Sequence, residues 1–167
     1  LMPAQKRANL PDWLYEKFVA QYGEEETVTL AEALNQPAPL DLRVNSIKAT
    51  RDEVMNELAL APIAAEPMPF APLGLRVHKK PSLQNLPLFK SGAIEVQDEG
   101  SQVLSQIVGA KRGEMVVDFC AGAGGKTLAL GALMRNTGRL YAFDVSEKRL
   151  AKLKPRLARS GLSNVHP

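Results

Sequence analysis

The stretch Asp118-Phe119-Cys120-Ala121-Gly122-Ala123-Gly124-Gly125-Lys126-Thr127 concentrates the residues of this sequence that could do chemistry. Its glycines let a backbone turn sharply and leave room for a ligand against the main chain. A helix following such a turn offers free N–H groups and a positive dipole end to a carboxylate or a phosphate. A phosphate-binding loop ending at Gly125-Lys126-Thr127 needs its first glycine at position 120, which is Cys120. A dinucleotide fingerprint needs its third glycine at position 127, which is Thr127. An acidic strand end, Asp118, followed by alternating glycines at 122 and 124 does fit. Asp144 then falls about 20 residues on, where a carboxylate reaches ribose hydroxyls. The combination points to an adenosine-containing ligand and by itself leaves S-adenosylmethionine (SAM) and NAD both open.

Other chemistries find little support. The single cysteine, Cys120, rules out an internal disulfide and a multi-cysteine metal site made by one chain. No metal site is expected. No apolar run is long enough to span a bilayer, and the first residues lack a secretory signal, so a cytoplasmic protein without membrane contact is the expectation. Lys and Arg number 21 against 18 for Asp and Glu, a mild excess compatible with nucleic acid. After Val145, Lys148, Arg149, Lys152, Lys154, Arg156 and Arg159 face only Glu147. That run reads either as the solvated face of a helix or as a phosphate-contacting surface.

The turn must be positioned by the elements around it. Asn9 to Tyr22 reads as a helix on Leu14, Phe18 and Tyr22, and Glu24 to Asn35 as a second with Leu30, Ala33 and Leu34 inward. Leu40 to Asn45 alternates as a half-buried strand, and Thr50 with Glu53 makes a capping box that opens a helix through Val54 and Leu58. Residues 61 to 72 read as loop and Leu75 to His78 as a strand. Ala93 to Val96 is a short extended segment. Asp98 to Val108 is a helix with Val103, Leu104, Ile107 and Val108 on one face. Met115 to Phe119 and Leu140 to Asp144 read as strands buried on both faces, as in parallel sheets. A helix from about Lys126 to Arg135 separates them. The last helix starts near Glu147, buries Leu150, Leu153 and Leu157, and is kinked by Pro155. Gly161 to Pro167 leads toward a third strand. The fold class is therefore α/β: residues 93–167 open a Rossmann-like sheet, preceded at 1–92 by a small α+β subdomain.

Four stretches occur together in the order of one family: Leu42-Arg43-Val44-Asn45, Val96-Gln97-Asp98-Glu99-Gly100-Ser101-Gln102, the turn at 118–127, and Asp144 to Leu150. With them the chain closely resembles, from about Leu10 to its end, the Sun (Fmu) family of SAM-dependent RNA cytosine-5 methyltransferases, bacterial small-subunit rRNA enzymes in particular. That family usually reads Cys-Ala-Ala-Pro-Gly-Gly-Lys-Thr at the turn, where this chain has Gly122 and Ala123 in place of Ala-Pro. The resemblance implies SAM as cofactor and RNA as partner. The backbone of Cys120, Ala121, Gly122, Ala123, Gly124, Gly125 and Lys126 would wrap the methionine end, with Lys126 near the carboxylate. Asp144 would take the ribose hydroxyls and Arg149 would close over the cofactor. Gln97 and Asp98 are expected to act mainly as a strand-to-helix junction and cap. Residues 1–92 would be the RNA-binding subdomain.

Cytosine carbon 5 is a poor nucleophile. Its methylation usually requires a cysteine thiolate to add at carbon 6, and a base to remove the carbon-5 proton afterwards. Cys120 lies inside the cofactor turn and is expected to be a small buried residue. In the similar family the nucleophile lies in later Pro-Cys motifs, which this chain lacks. The expectation is a fragment of an rRNA cytosine-5 methyltransferase that holds the cofactor turn and no catalytic residue. The rival is a non-catalytic RNA-binding or assembly module on the same fold.

Overall fold

The chain is seen in a computed structural model that describes residues 2–78 and 81–167. Up to Ala38 it forms one unit, and from Pro39 onward a second. In the first, α1 (Ala4–Ala8), α2 (Asp12–Tyr22) and α3 (Glu24–Leu34) share a small core of Ala8, Tyr15 and Ala31. A single helix from Asn9 is not formed. Asn9 takes the left-handed conformation, φ 51°, and closes α1, and α2 begins after Pro11. Asparagine tolerates that region because its short polar side chain can bond locally. The buried faces also differ from the expected rows. Tyr22, Ala33 and Leu34 are exposed, while Tyr15, Thr27, Val28 and Ala31 are buried. Tyr15 can take the core position because its hydroxyl donates to Glu24 Oε1 at 3.0 Å.

The second unit contains two sheets. β1 (Leu40–Val44), α4 (Arg51–Leu60), β2 (Ala65–Pro67), β3 (Gly74–Val77), a 3-10 turn at Leu83–Asn85, α5 (Pro87–Lys90) and β4 (Ile94–Val96) build the first. Its strands run antiparallel in the order β2-β3-β1-β4. The segment read as loop thus contains β2, an edge strand that ends in Pro67, where a missing N–H breaks no ladder. The extended segment after Gly92 joins this antiparallel sheet as β4. α4 opens with the expected box: Thr50 Oγ1 accepts from the Glu53 amide, and Glu53 Oε2 accepts from the Thr50 amide at 2.8 Å. Val54 and Leu58 then pack with Leu42, Val44, Leu75 and Ile94.

The second sheet follows from α6 (Glu99–Val108), β5 (Met115–Asp118), α7 (Gly125–Leu133), β6 (Arg139–Ala142), α8 (Glu147–Leu150), α9 (Leu153–Ser160) and β7 (Val165–His166). β5, β6 and β7 are parallel neighbours in that order, so the residues expected only to lead toward a third strand already pair as one, at Val165–His166. One face, carrying Val116, Leu140, Ala142 and Val165, packs against Leu128, Leu130 and Leu153. The other face is bare: Met115 is 69 % and Val117 52 % exposed, with Phe119 and Phe143 also out. β5 is therefore covered on one side only. α6 likewise turns Gln102 and Ser105 inward and leaves Leu104, Ile107 and Val108 exposed. In place of a kinked final helix there are two helices, interrupted at Ala151 and Lys152. Pro155 has no N–H to return to Ala151, which removes the bond that would have bridged the interruption.

Candidate functional site

Because β5 and β6 are parallel neighbours, their carboxyl ends lie side by side, and the turn after β5 meets the residues after β6. The Phe143 amide donates to the Asp118 carbonyl at 2.9 Å, and the Ala121 amide to the Phe143 carbonyl at 2.8 Å. The Gly124 amide donates to the Ala121 carbonyl at 2.8 Å and closes the turn. Asp118 faces away from the turn's open side: its Oδ2 accepts from the fully buried Thr127 hydroxyl at 2.7 Å and so pins the start of α7.

Asp144 is the charged centre. Its side chain is 3 % exposed, accepting from the Gly122 amide at 2.8 Å through Oδ2 and from the Ser146 amide at 2.8 Å through Oδ1. The Ser146 amide holds the carboxyl below the usual carboxylate range; burial opposes this, and the Gly122 amide and Arg149 assist. Arg149 stands 3.8 Å from Asp144 and is largely exposed. At Gly122, φ 56°, an added Cβ would lie 3.1 Å from Arg149 Nη2. At Gly124, φ 81°, it would lie 2.2 Å from Leu153 Cδ1. At Gly124 the contact is with a buried side chain, so a side chain has no room there; at Gly122 it is with the far end of an exposed arginine.

The structure brings Asp144 and Arg149 to Gly122, within one continuous turn from Cys120 to Lys126. Ala121 is buried, Lys126 is exposed, and Cys120 is exposed where a buried residue was expected. β5 ends at Asp118, so Cys120 lies in the turn rather than on the strand. By helix geometry the first amides of α7 have no partner inside the helix. Asp98 caps α6 as expected, accepting from the Ser101 amide at 2.9 Å, which holds its carboxyl below the usual range. Among the described residues no His, Cys, Asp or Glu cluster could hold a metal, and no helix is long and apolar enough to cross a membrane.

Sequence reasoning missed the supports beneath the turn. Arg43 Nη1 donates to the Gly125 carbonyl at 2.7 Å and to Gln97 Oε1. Burial brings the Arg43 guanidinium down to about 10, with Glu95 opposing and Arg156 adding to the shift. Arg156 Nη1 donates to the Ala123 carbonyl at 2.6 Å, and its Nε to Glu95 Oε2 at 2.9 Å. Arg159 Nη2 donates to the other Glu95 oxygen at 2.7 Å. Two members of the basic run therefore point inward, while Lys148, Lys152 and Lys154 are exposed. The available signal was opposite charge on two short strands: Arg43 and Glu95 are cross-strand partners on β1 and β4.

Comparison with known proteins separates the open ligand classes. Residues 10–84 match an RsmF/B-like methyltransferase ferredoxin-like domain, and residues 105–166 match the 16S rRNA methyltransferase RsmB/F domain. The chain belongs to the RsmB/F methyltransferase family. This is the Sun family that its motifs resemble. A Synechocystis protein named "Probable ribosomal RNA small subunit methyltransferase B" is 38 % identical over 158 residues, 94 % of this chain. A methyltransferase homologue from Pyrococcus horikoshii superposes with a TM-score of 0.87 at 32 % identity, over 99 % of this chain and 56 % of that one. NSun6 from the same organism, solved with SFG, shares the fold at 20 % identity, with a TM-score of 0.87 over 93 % of this chain and 64 % of that one. The chain spans about a third, 35 %, of the length of the first curated relatives it matches.

Proposed function

We propose that the turn at 120–126, with Asp144 and Arg149, binds SAM in an enzyme that methylates carbon 5 of a cytosine in small-subunit rRNA. The observation that carries this reading is the Asp144 carboxylate, fixed by the Gly122 and Ser146 amides beside a glycine-rich turn, in a chain of this family. Bound there, the cofactor would supply an activated methyl group. The backbone from Cys120 to Lys126 would hold the methionine end, with the free amides of α7 and the Lys126 ammonium facing its carboxylate. Asp144, ionised at neutral pH, keeps lone pairs for two ribose hydroxyls, and Arg149 is placed to close over the adenosine. Residues 1–92 are the proposed RNA-side subdomain, with β4 completing its sheet, and residues 93–167 the opening of the SAM domain. Acting on rRNA, the enzyme would work in the cytoplasm.

The nucleophile is not assigned to this chain. Cys120 belongs to the cofactor turn, on the methyl donor's side rather than the base's. The 167 residues would therefore bind SAM without methylating. Calorimetric titration with SAM, and with NAD and ATP as controls, tests the cofactor assignment. Saturable binding of SAM alone is expected; binding of NAD or ATP in its place would overturn it.

A further inference from the structure

The open side of the cofactor turn presents amides, and a trans peptide is planar, so each amide direction is fixed by the carbonyl on the opposite side. The Gly125 carbonyl shares its plane with the Lys126 amide, in the first turn of α7. The Ala123 carbonyl shares its plane with the Gly124 amide, which closes the turn on Ala121. Each of these two carbonyls accepts from a guanidinium that belongs to neither the turn nor its strand: Gly125 from Arg43 on β1, Ala123 from Arg156 on α9. Arg156 pairs with the Glu95 carboxylate on β4, which is 3 % exposed, and Glu95 is the cross-strand neighbour of Arg43. A turn with three glycines is intrinsically loose, and a binding loop that must be ordered on binding loses affinity.

We infer that Arg43 and Arg156 are positioning residues for the cofactor turn, Arg43 held by Gln97 and Arg156 by Glu95. The antiparallel sheet thereby aims the Lys126 amide through Arg43 and holds the closure of the turn at Gly124 through Arg156. This rests on the SAM assignment for its ligand, but the orientation of the turn does not depend on it. Arg159 provides the internal control. It binds the same Glu95 at 2.7 Å, lies 4.4 Å over the Phe89 ring, and donates to neither turn carbonyl.

The test compares Arg156→Met with Arg159→Met in the full chain, by SAM calorimetry and by the amide NMR signals of Gly124, Gly125 and Lys126 without ligand. Each variant removes one partner from Glu95, so comparable drops in the urea midpoint are expected. Arg156→Met should weaken SAM binding about tenfold, the scale of one charge-assisted hydrogen bond, and shift the three amides. Arg159→Met should leave affinity within about twofold and those amides in place, as expected if only contacts to the turn matter. Equal losses in the two variants, or unchanged amides in Arg156→Met, would overturn the inference. If Arg156→Met fails to fold, Arg43→Met, which removes the donation to the Gly125 carbonyl and to Gln97, is judged by the same amides. If the unaltered chain binds no SAM, the cofactor reading fails while the amide comparison still decides the positioning role.

Discussion

At Gly124 the backbone lies in the left-handed region, and a Cβ would meet Leu153 Cδ1 at 2.2 Å. Gly124→Ala combines backbone strain with overpacking, and should cost about 2–4 kcal/mol in denaturant-midpoint measurements. SAM binding should fall with it, because Leu153 cannot retreat: it is fully buried in the core beneath the parallel sheet. The glycines of the turn, its acidic strand end and Asp144 were all legible in the sequence, since each lies within a short motif. Arg43 and Arg156 were not. Their turn partners are 82 and 33 residues away, and a buried arginine is recognised only once its partners are in place. Cys120 was misread for a local reason. It reads as the end of the first strand, but β5 stops at Asp118 and the residue stands exposed in the turn.

Among the elements, α4 has the most local definition. Thr50→Ala removes the acceptor for the Glu53 amide and should destabilise the fold by about 1 kcal/mol, read from urea unfolding. The carboxyls of Glu53 and Asp98 are held below their ordinary values by the Thr50 and Ser101 amides. A depressed folded-state value means the stability these caps give is fully present above the unfolded range near about 4 and is lost as pH falls through it. Unfolding midpoints should hold steady from about pH 8 to 5 and then drop. A drop that begins near neutrality would point to another group. Element type and order followed from the sequence almost throughout; element faces did not. The row Val103, Leu104, Ile107, Val108 marks a surface suited to burial, but α6 uses Gln102, whose amide donates to the Leu42 and Gln97 carbonyls, to join the antiparallel sheet. β1 alternates because its polar face, Asp41, Arg43 and Asn45, is also buried, against partners that periodicity cannot name.

For the whole chain, the bare sheet face dominates. Met115, Val117, Phe119 and Phe143, with Leu104, Ile107 and Val108 on α6, are large apolar side chains left exposed, and β5 is an edge strand. Such surface favours association. The 167-residue chain should bind the apolar dye ANS and self-associate at concentrations of about 10–100 µM in sedimentation velocity. Met115→Lys with Val117→Lys should reduce both without lowering stability. A dye-silent monomer would show that the face is covered in solution. The apolar strands were legible as strands because both faces of β5 are apolar, Val116 on the packed side and Met115 and Val117 on the bare one; what covers them is not written in the strands themselves.

The most direct measurement is amide NMR of the isotope-labelled chain as SAM is added. Shifts are expected at residues 120–126 and at Asp144 to Arg149, and none there when NAD replaces SAM. Shifts confined to other surfaces, or the same shifts with NAD, would contradict the assignment of the turn to SAM.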